Sequence, residues 1–229
     1  MSRDAADPSG AGFPRDVLAG RTLDAARALL GARLVRPPDR VGRIVEVEAY
    51  VGPDDLASHA RMGPTPRNRM MFGPPGFAYV YLVYGMHHCL NVVTEPASRP
   101  AAILIRAVEP LHGIEALQAG RSRSRSRGTA QPAGDSHAGG PARVAVSRLA
   151  AGPGLVCAAF DVDRSFDGMD LCDPSSPLHL APRPDDDAAP RIMATPRIGV
   201  GYAAEPWASM PWRLFVADSP SVSGRRARA

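Results

Sequence analysis

Apolar residues first recur at helical spacing at Leu23, Ala26 and Leu30, with Thr22 where a cap belongs and Gly31 where a left-handed stop belongs. Pro37 and Pro38 end the segment that follows. From Arg43 to Tyr50 the period changes to two, and the order Arg-Ile-Val-Glu-Val-Glu-Ala-Tyr reads as a strand with Ile44, Glu46, Glu48 and Tyr50 on one face. Two carboxylates therefore sit on an otherwise buryable strand. The β-prone runs Tyr79 to Val83 and His87 to Val93 are separated by Tyr84-Gly85-Met86, which predicts a hairpin with Tyr84 and Met86 flanking its tip. Ala101 to Val108 is a further strand, apolar except for Arg106, whose guanidinium needs an acidic or solvated partner.

Between Gly120 and Pro141 the pattern breaks down into Arg, Ser, Gly and Pro, including the run Arg121 to Arg127, and a disordered surface loop is expected over 120–141. Pro174 to Pro196 reads as a second Pro-rich connection, with Arg197 to Gly201 and Trp212 to Val216 as closing strands. Residues 1–14 and 224–229 are expected to be flexible tails. A chain of 229 residues, 45% hydrophobic, can build one sizeable core, so a single domain over 1–229 is expected.

The formal net charge of +4 permits nucleic-acid binding without requiring it. Cys89, Cys157 and Cys172 have neither metal-ligand spacing nor a disulfide framework, which fits a reducing compartment. The first 14 residues hold Asp, Gly and Pro where a secretory segment would be apolar, and no run is long enough to span a bilayer. The expected location is the cytoplasm, with the nucleoid if the source is bacterial. His87, His88 and Cys89 invite a metal reading, but neighbouring strand residues point to opposite faces and no second ligand pair follows, so no metal and no cofactor is expected.

Four blocks carry the specific signal: Gly42 to Arg61 with its Glu-Ala-Tyr, Thr65 to Gly76, Tyr79 to Val93, and Leu104 to Pro110. Together they resemble the alkyladenine (3-methyladenine) DNA glycosylase family, and the resemblance starts near Leu23 and resumes at Gly152-Pro-Gly, Ser165 to Leu171, Arg197 to Gly201 and Asp218 to Ser223. It implies an α+β fold, a single mixed domain around a curved antiparallel β-sheet, with peripheral helices and a protruding DNA-intercalating hairpin. It also implies an enzyme of base excision repair, which flips alkylated or deaminated purines out of double-stranded DNA and hydrolyses the N-glycosidic bond without a lyase step. A monomer with no obligate protein partner and no membrane association is expected.

Residue by residue, the resemblance makes Glu48 the base that deprotonates the attacking water and Arg106 the arginine that helps hold that water. Without it, Glu48 reads rather as a solvent-facing strand residue or as the ion-pair partner of Arg106. Glu46 lies outside the Glu-Ala-Tyr match and reads as structural. Tyr50, His59 and Tyr81 match positions around the flipped base, where a cationic purine can stack. The bland alternatives are core tyrosines with paired hydroxyls and a locally bonded loop histidine. Asn91 matches a position that crowds the base and disfavours the amino group of guanine, or is a buried amide paired to backbone. Tyr84 and Met86 match the wedge that fills the gap left by the extruded nucleotide. Arg67, Asn68 and Arg69 could reach phosphates or form a solvated charge run. Ala151 and Leu155 depart from the Ser and Lys common around the Gly-Pro turn, which puts one DNA-backbone contact in doubt.

Two other classes compete. A non-catalytic binder of damaged DNA would keep Tyr84 and the aromatic pocket but has no need of Glu48 beside Tyr50. A hydrolase of small purine compounds has no need of an exposed hairpin or basic loops.

Overall fold

The computed structural model describes residues 11–128 and 144–224, with the backbone alone at 125–128. In chain order the elements are α1 (Arg15–Ala19), α2 (Thr22–Leu29), β1 (Arg33–Arg36), β2 (Arg40–Val51), β3 (Ala78–Val83), β4 (His87–Thr94), β5 (Ala101–His112), α3 (Ile114–Gly128), α4 (Pro153–Ala159), β6 (His179–Ala181), β7 (Ile192–Thr195) and β8 (Arg213–Val216). The strands form one antiparallel sheet in the order β3-β4-β5-β2-β1-β6, with β8 also paired to β2 and β7 to β8. Because β2 is long, β1 takes its first residues and β8 takes Glu46 to Glu48, while β5 runs along its other edge. The sheet curls around this shared strand into a half-barrel, and the whole is a mixed α+β domain.

Strand alternation sorts the side chains into two layers. Ala78 and Val80 of β3, Leu90 and Val92 of β4, Ile103 and Ile105 of β5 and Val45 and Val47 of β2 enter the main core. Helices α2 and α4 close that core through Ala25, Ala26, Leu29, Val156 and Cys157. Their partners one residue away, Tyr79, Tyr81, Cys89, Asn91, Leu104 and Arg106, line the concave opposite face. Each fully buried Ile or Leu of the core contributes about 1.5–3 kcal/mol, so the apolar layer holds the strands rigidly enough to carry a polar one.

Several expectations change. Register shifts on either side of Glu46 bulge β2, so Ile44 joins Val45 and Val47 in the main core while Glu46 and Glu48 reach Arg106 on the other side. Thr22 is the first helical residue rather than the cap; its N–H and hydroxyl both donate to Glu95, which supplies the missing acceptor from the β4–β5 connection. The Arg/Ser run is helical, since α3 continues through Gly128, and residues 129–141 of the expected loop fall among the undescribed 129–143. Of the expected N-terminal tail, residues 1–10 are not described, but Phe13 is buried in the core and its N–H donates to the Leu180 carbonyl. Residues 225–229 also lie outside the described residues. Arg197 to Gly201 is a loop, not a strand, and the Pro-rich connection before it contains β6 and β7. Among the described residues no helix is long and apolar enough to cross a membrane.

Candidate active site

Strands β2, β3, β4 and β5 bring Tyr50, Tyr79, Tyr81, Asn91 and Arg106 to one cleft of about 700 Å³, whose mouth is edged by His59, Arg67, Tyr84 and the loop from Ile198 to Tyr202. Glu48 lies beneath its floor, fully buried. Its Oε1 accepts from the Ile198 N–H at 2.7 Å, and its Oε2 accepts from the Tyr50 hydroxyl at 3.0 Å and from Arg106 Nη1 at 3.2 Å. An ionised carboxylate has about four acceptor positions, so three donors leave one.

Glu46, also fully buried, is occupied differently. Arg106 Nε at 3.1 Å, Arg213 Nε at 2.7 Å, the Ser223 N–H at 2.5 Å and the Ser223 hydroxyl at 2.9 Å all donate to it. Four donors hold the group, three of them on Oε1 and one on Oε2. Arg106 thus bridges the two carboxylates, and although burial opposes its charge, Glu48 and Glu46 outweigh burial and hold it above the usual arginine value. The contact with Arg106 is the ion pair that the sequence offers as one reading of Glu48.

The Ile198 amide reaches Glu48 because of a buried pair that sequence reasoning did not single out. Arg197 and Asp55, both without solvent exposure, make a bidentate contact at 2.6 and 2.9 Å. The guanidinium also donates to the carbonyls of Ala49 and Trp207 and lies between the Tyr50 and Trp212 rings at 4.7 and 5.0 Å. Asp55 in turn accepts from the N–H groups of Val51 and Ala57. The available signal was an acidic residue in the Gly52-to-Asp55 turn and an arginine opening Arg197-Ile-Gly-Val-Gly201, both inside recognised blocks. Their pairing across the fold was not legible.

The cleft walls are largely aromatic, with Arg67 and Arg106 as the charged residues among them. His59 Nδ1 is 3.0 Å from the Tyr79 hydroxyl, and its ring meets Tyr81 edge-on at 4.7 Å. Burial, then Arg67 and Arg61, hold His59 below the ordinary imidazole value. Burial, reinforced by the Glu48 carboxylate, pushes the Tyr50 hydroxyl well above the usual phenol, and burial does the same to Tyr79 and Tyr81. The Cys89 thiol is pushed up to about 11 by burial. Asn91 spends its Nδ2 on the carbonyls of Tyr79 and Cys89, so it is both a backbone-paired amide and a wall of the cleft.

At the hairpin tip Tyr84 is 88% exposed and Met86 60%. Tyr84 has φ 52, a left-handed conformation that costs a residue with a Cβ about 1–2 kcal/mol, and Gly85 follows at φ 69. A strained, exposed aromatic is held there by the strands rather than by burial. Arg67 stacks on Tyr81 at 5.3 Å and faces the cleft, but Asn68 is buried: its amide donates to the His59 and Gly63 carbonyls and its oxygen accepts from Thr65. It staples the loop, its amide and oxygen bonded within the protein as a structural residue's would be. Ala151 is buried against β5 through a bridge to Ala107, and Leu155 packs beside Gly152 at the start of α4. Among the described residues no three His, Cys, Asp or Glu side chains converge on a metal position.

Residues 16–220 match the family model described as methylpurine-DNA glycosylase. A protein of Methanocella arvoryzae is 46% identical over 216 residues, which is 93% of this chain and 96% of that one. One of Myxococcus xanthus is 44% identical (95% of this chain, 98% of that one), and one of Bacillus cereus strain G9842 is 40% identical (92% and 98%). All three bear the name "Putative 3-methyladenine DNA glycosylase". A match that runs through every element carrying the cleft makes the chain a member of the methylpurine-DNA glycosylase family.

Proposed function

We propose that this DNA glycosylase of alkylated bases draws an alkylated or deaminated purine out of double-stranded DNA into the cleft and hydrolyses its N-glycosidic bond with water activated by Glu48. The observation that carries the reading is a buried carboxylate with three donors and one remaining acceptor position, beneath aromatic walls. Tyr50, His59 and Tyr81 give faces on which a cationic purine stacks, worth about 2 kcal/mol where water is excluded. A neutral His59 adds no charge repulsion.

An alkylated purine already bears the positive charge that makes it a good leaving group. As the bond from C1′ to the purine nitrogen breaks, its electron pair neutralises the ring and positive charge develops on the sugar. The Glu48 carboxylate stabilises that charge and takes a proton from the water, whose oxygen bonds to C1′ and leaves an abasic site. Arg106, bonded to Glu48 at 3.2 Å, orients it. Asn91 crowds the base, while Tyr84 and Met86 fill the space the base vacates. Arg67, over the cleft mouth, contacts a phosphate. A lyase step of the Schiff-base kind uses an amine, and all 27 basic residues counted as Lys+Arg in this chain are arginine, so no lysine side chain is there to supply it. The enzyme works as a monofunctional hydrolase and, with no partner needed to complete the cleft, as a monomer.

The test is excision from a set of duplexes, each with one defined lesion. The expected result is release of the free base, with strand breakage only after alkali. Tight binding to lesions with no base released would reduce the protein to a damage binder, and breakage without alkali would overturn the monofunctional assignment.

A further inference from the structure

After β8 the chain turns at Ala217 and Asp218, and its last described residues come to lie against the polar side of β2 and β5. Val222 is buried, and its carbonyl accepts from Arg148 Nη1 at 3.3 Å. Ser223, also buried, bonds through every polar atom it has. Its N–H donates to Glu46 Oε2 at 2.5 Å and its carbonyl accepts from Arg213 Nη2 at 3.1 Å. Its hydroxyl donates to Glu46 Oε1 at 2.9 Å and accepts from Arg106 Nη2 at 3.3 Å. Gly224 follows at φ 72, and a Cβ there would lie 3.4 Å from Ile198 Cδ1, so the chain passes beside the residue whose N–H holds the other oxygen of Glu48.

A guanidinium only donates and a carboxylate only accepts, so a hydroxyl between them has its proton turned to Glu46 and a lone pair turned to Arg106. Arg106 is thereby fixed at three points: Nε on Glu46 at 3.1 Å, Nη1 on Glu48 at 3.2 Å and Nη2 on Ser223 at 3.3 Å. Three acceptors around a planar group set its plane as well as its place. With the Ser223 hydroxyl gone the guanidinium is free to tilt, and a tilt moves Nη1, the atom bonded to Glu48. Ser221, two residues earlier and fully buried, provides the contrast. Its N–H donates to Ser219 Oγ at 3.2 Å, but its own hydroxyl has no hydrogen-bond partner among the described residues.

We propose that Ser223 is a positioning residue for base excision: through its hydroxyl it sets the plane of the Arg106 guanidinium and so the placement of the Glu48 carboxylate. This rests on the reading of Glu48 as the base, and it requires no contact between Ser223 and DNA.

The test compares Ser223→Ala, Ser223→Thr and Ser221→Ala in the full chain. Removing the hydroxyl leaves both backbone bonds of Ser223 in place, so the segment stays seated. Single-turnover excision per folded molecule falls by about 10–100-fold in Ser223→Ala, the size expected when a reacting group is displaced by about 1 Å, while lesion-duplex affinity stays within a few-fold. Ser223→Thr keeps the hydroxyl and recovers most of the rate, and Ser221→Ala keeps all of it. The deciding measurement is the double variant, because independent effects multiply and effects through one group do not. In a Glu48→Gln background, Ser223→Ala slows excision far less than it does in the unaltered protein. Ser223→Cys, whose thiol donates and accepts weakly, supports the same comparison if the alanine variant fails to fold. Undiminished excision by Ser223→Ala, a folded Ser223→Thr as slow as Ser223→Ala, or multiplied losses in the double variant would overturn the proposal while excision by the unaltered protein upholds the glycosylase reading. An active Glu48→Gln enzyme would remove the base on which the proposal rests, and no excision from any lesion by the unaltered protein would overturn the glycosylase reading first.

Discussion

Glu48→Gln changes one carboxylate oxygen into an NH2 group, and the surroundings fix what that costs. At the Oε1 position the new donor would face the Ile198 N–H across 2.7 Å; at the Oε2 position it would face Arg106 Nη1 across 3.2 Å and the Tyr50 hydroxyl, which can turn and accept. The second placement is the cheaper, and it leaves Arg106 one acceptor short but still bound to Glu46 at 3.1 Å. One orphaned buried donor costs about 1–3 kcal/mol, against a total stability of about 5–15 kcal/mol for a domain. The variant stays folded. Loss of base catalysis costs about 10²–10⁴-fold in rate, or about 3–5 kcal/mol of barrier. Single-turnover excision with enzyme in excess should fall by that factor while lesion-duplex binding stays within a few-fold and the melting temperature drops by about 2–12 °C. A folded Glu48→Gln enzyme that excises within tenfold of the original refutes the assignment. Glu46→Gln is the comparison, and it is not silent: with Arg106, Arg213 and Ser223 all bound to Glu46, it breaks buried pairs worth about 3–5 kcal/mol. It should melt lower than Glu48→Gln yet excise faster per folded molecule.

Asp55→Asn leaves the fully buried Arg197 charge without its partner and should cost about 3–5 kcal/mol, a fall of about 6–20 °C in thermal unfolding; a shift under about 2 °C would mean the pair does not anchor the Ile198 loop. Tyr84→Ser, at an exposed tip, should change stability by less than about 0.5 kcal/mol while slowing excision of a well-paired lesion more than of a mismatched one, and equal slowing on both substrates would sink the wedge role. His59 is held below the ordinary imidazole value, so just under about pH 6.5 the unfolded chain binds the extra proton. Its contribution to stability is full above that pH and is lost as pH falls toward the depressed value. His59→Gln should therefore flatten the rise of melting temperature between about pH 5 and 6.5, without abolishing it because His88 is depressed in the same direction; an unaltered slope would contradict the placement of His59.

The order of residues along β2, β3, β4 and β5 already determined most of the cleft. A period of two puts Glu48 with Tyr50, Tyr79 with Tyr81, and Leu104 with Arg106 on common faces whatever the sheet does next, and Tyr84-Gly85-Met86 between two strands has to be a tip. Local pattern could not foresee the bulge at Glu46 that turns Ile44 into the core. Nor could it tell Glu46, held by four donors, from Glu48, held by three, because the donors that distinguish them come from Arg213, Ser223 and Ile198, 150 or more residues away in the chain. The Arg/Ser run shows the same division. Its composition offers no apolar face and reads as loop, but packing of Leu117 and Gly120 against the fold starts a helix that the following residues continue. Sequence alone determined which side chains share a face, since that follows from backbone geometry. Tertiary structure decided which of them are paired, which are strained and which line the cleft, since long-range partners and the exclusion of water set those properties.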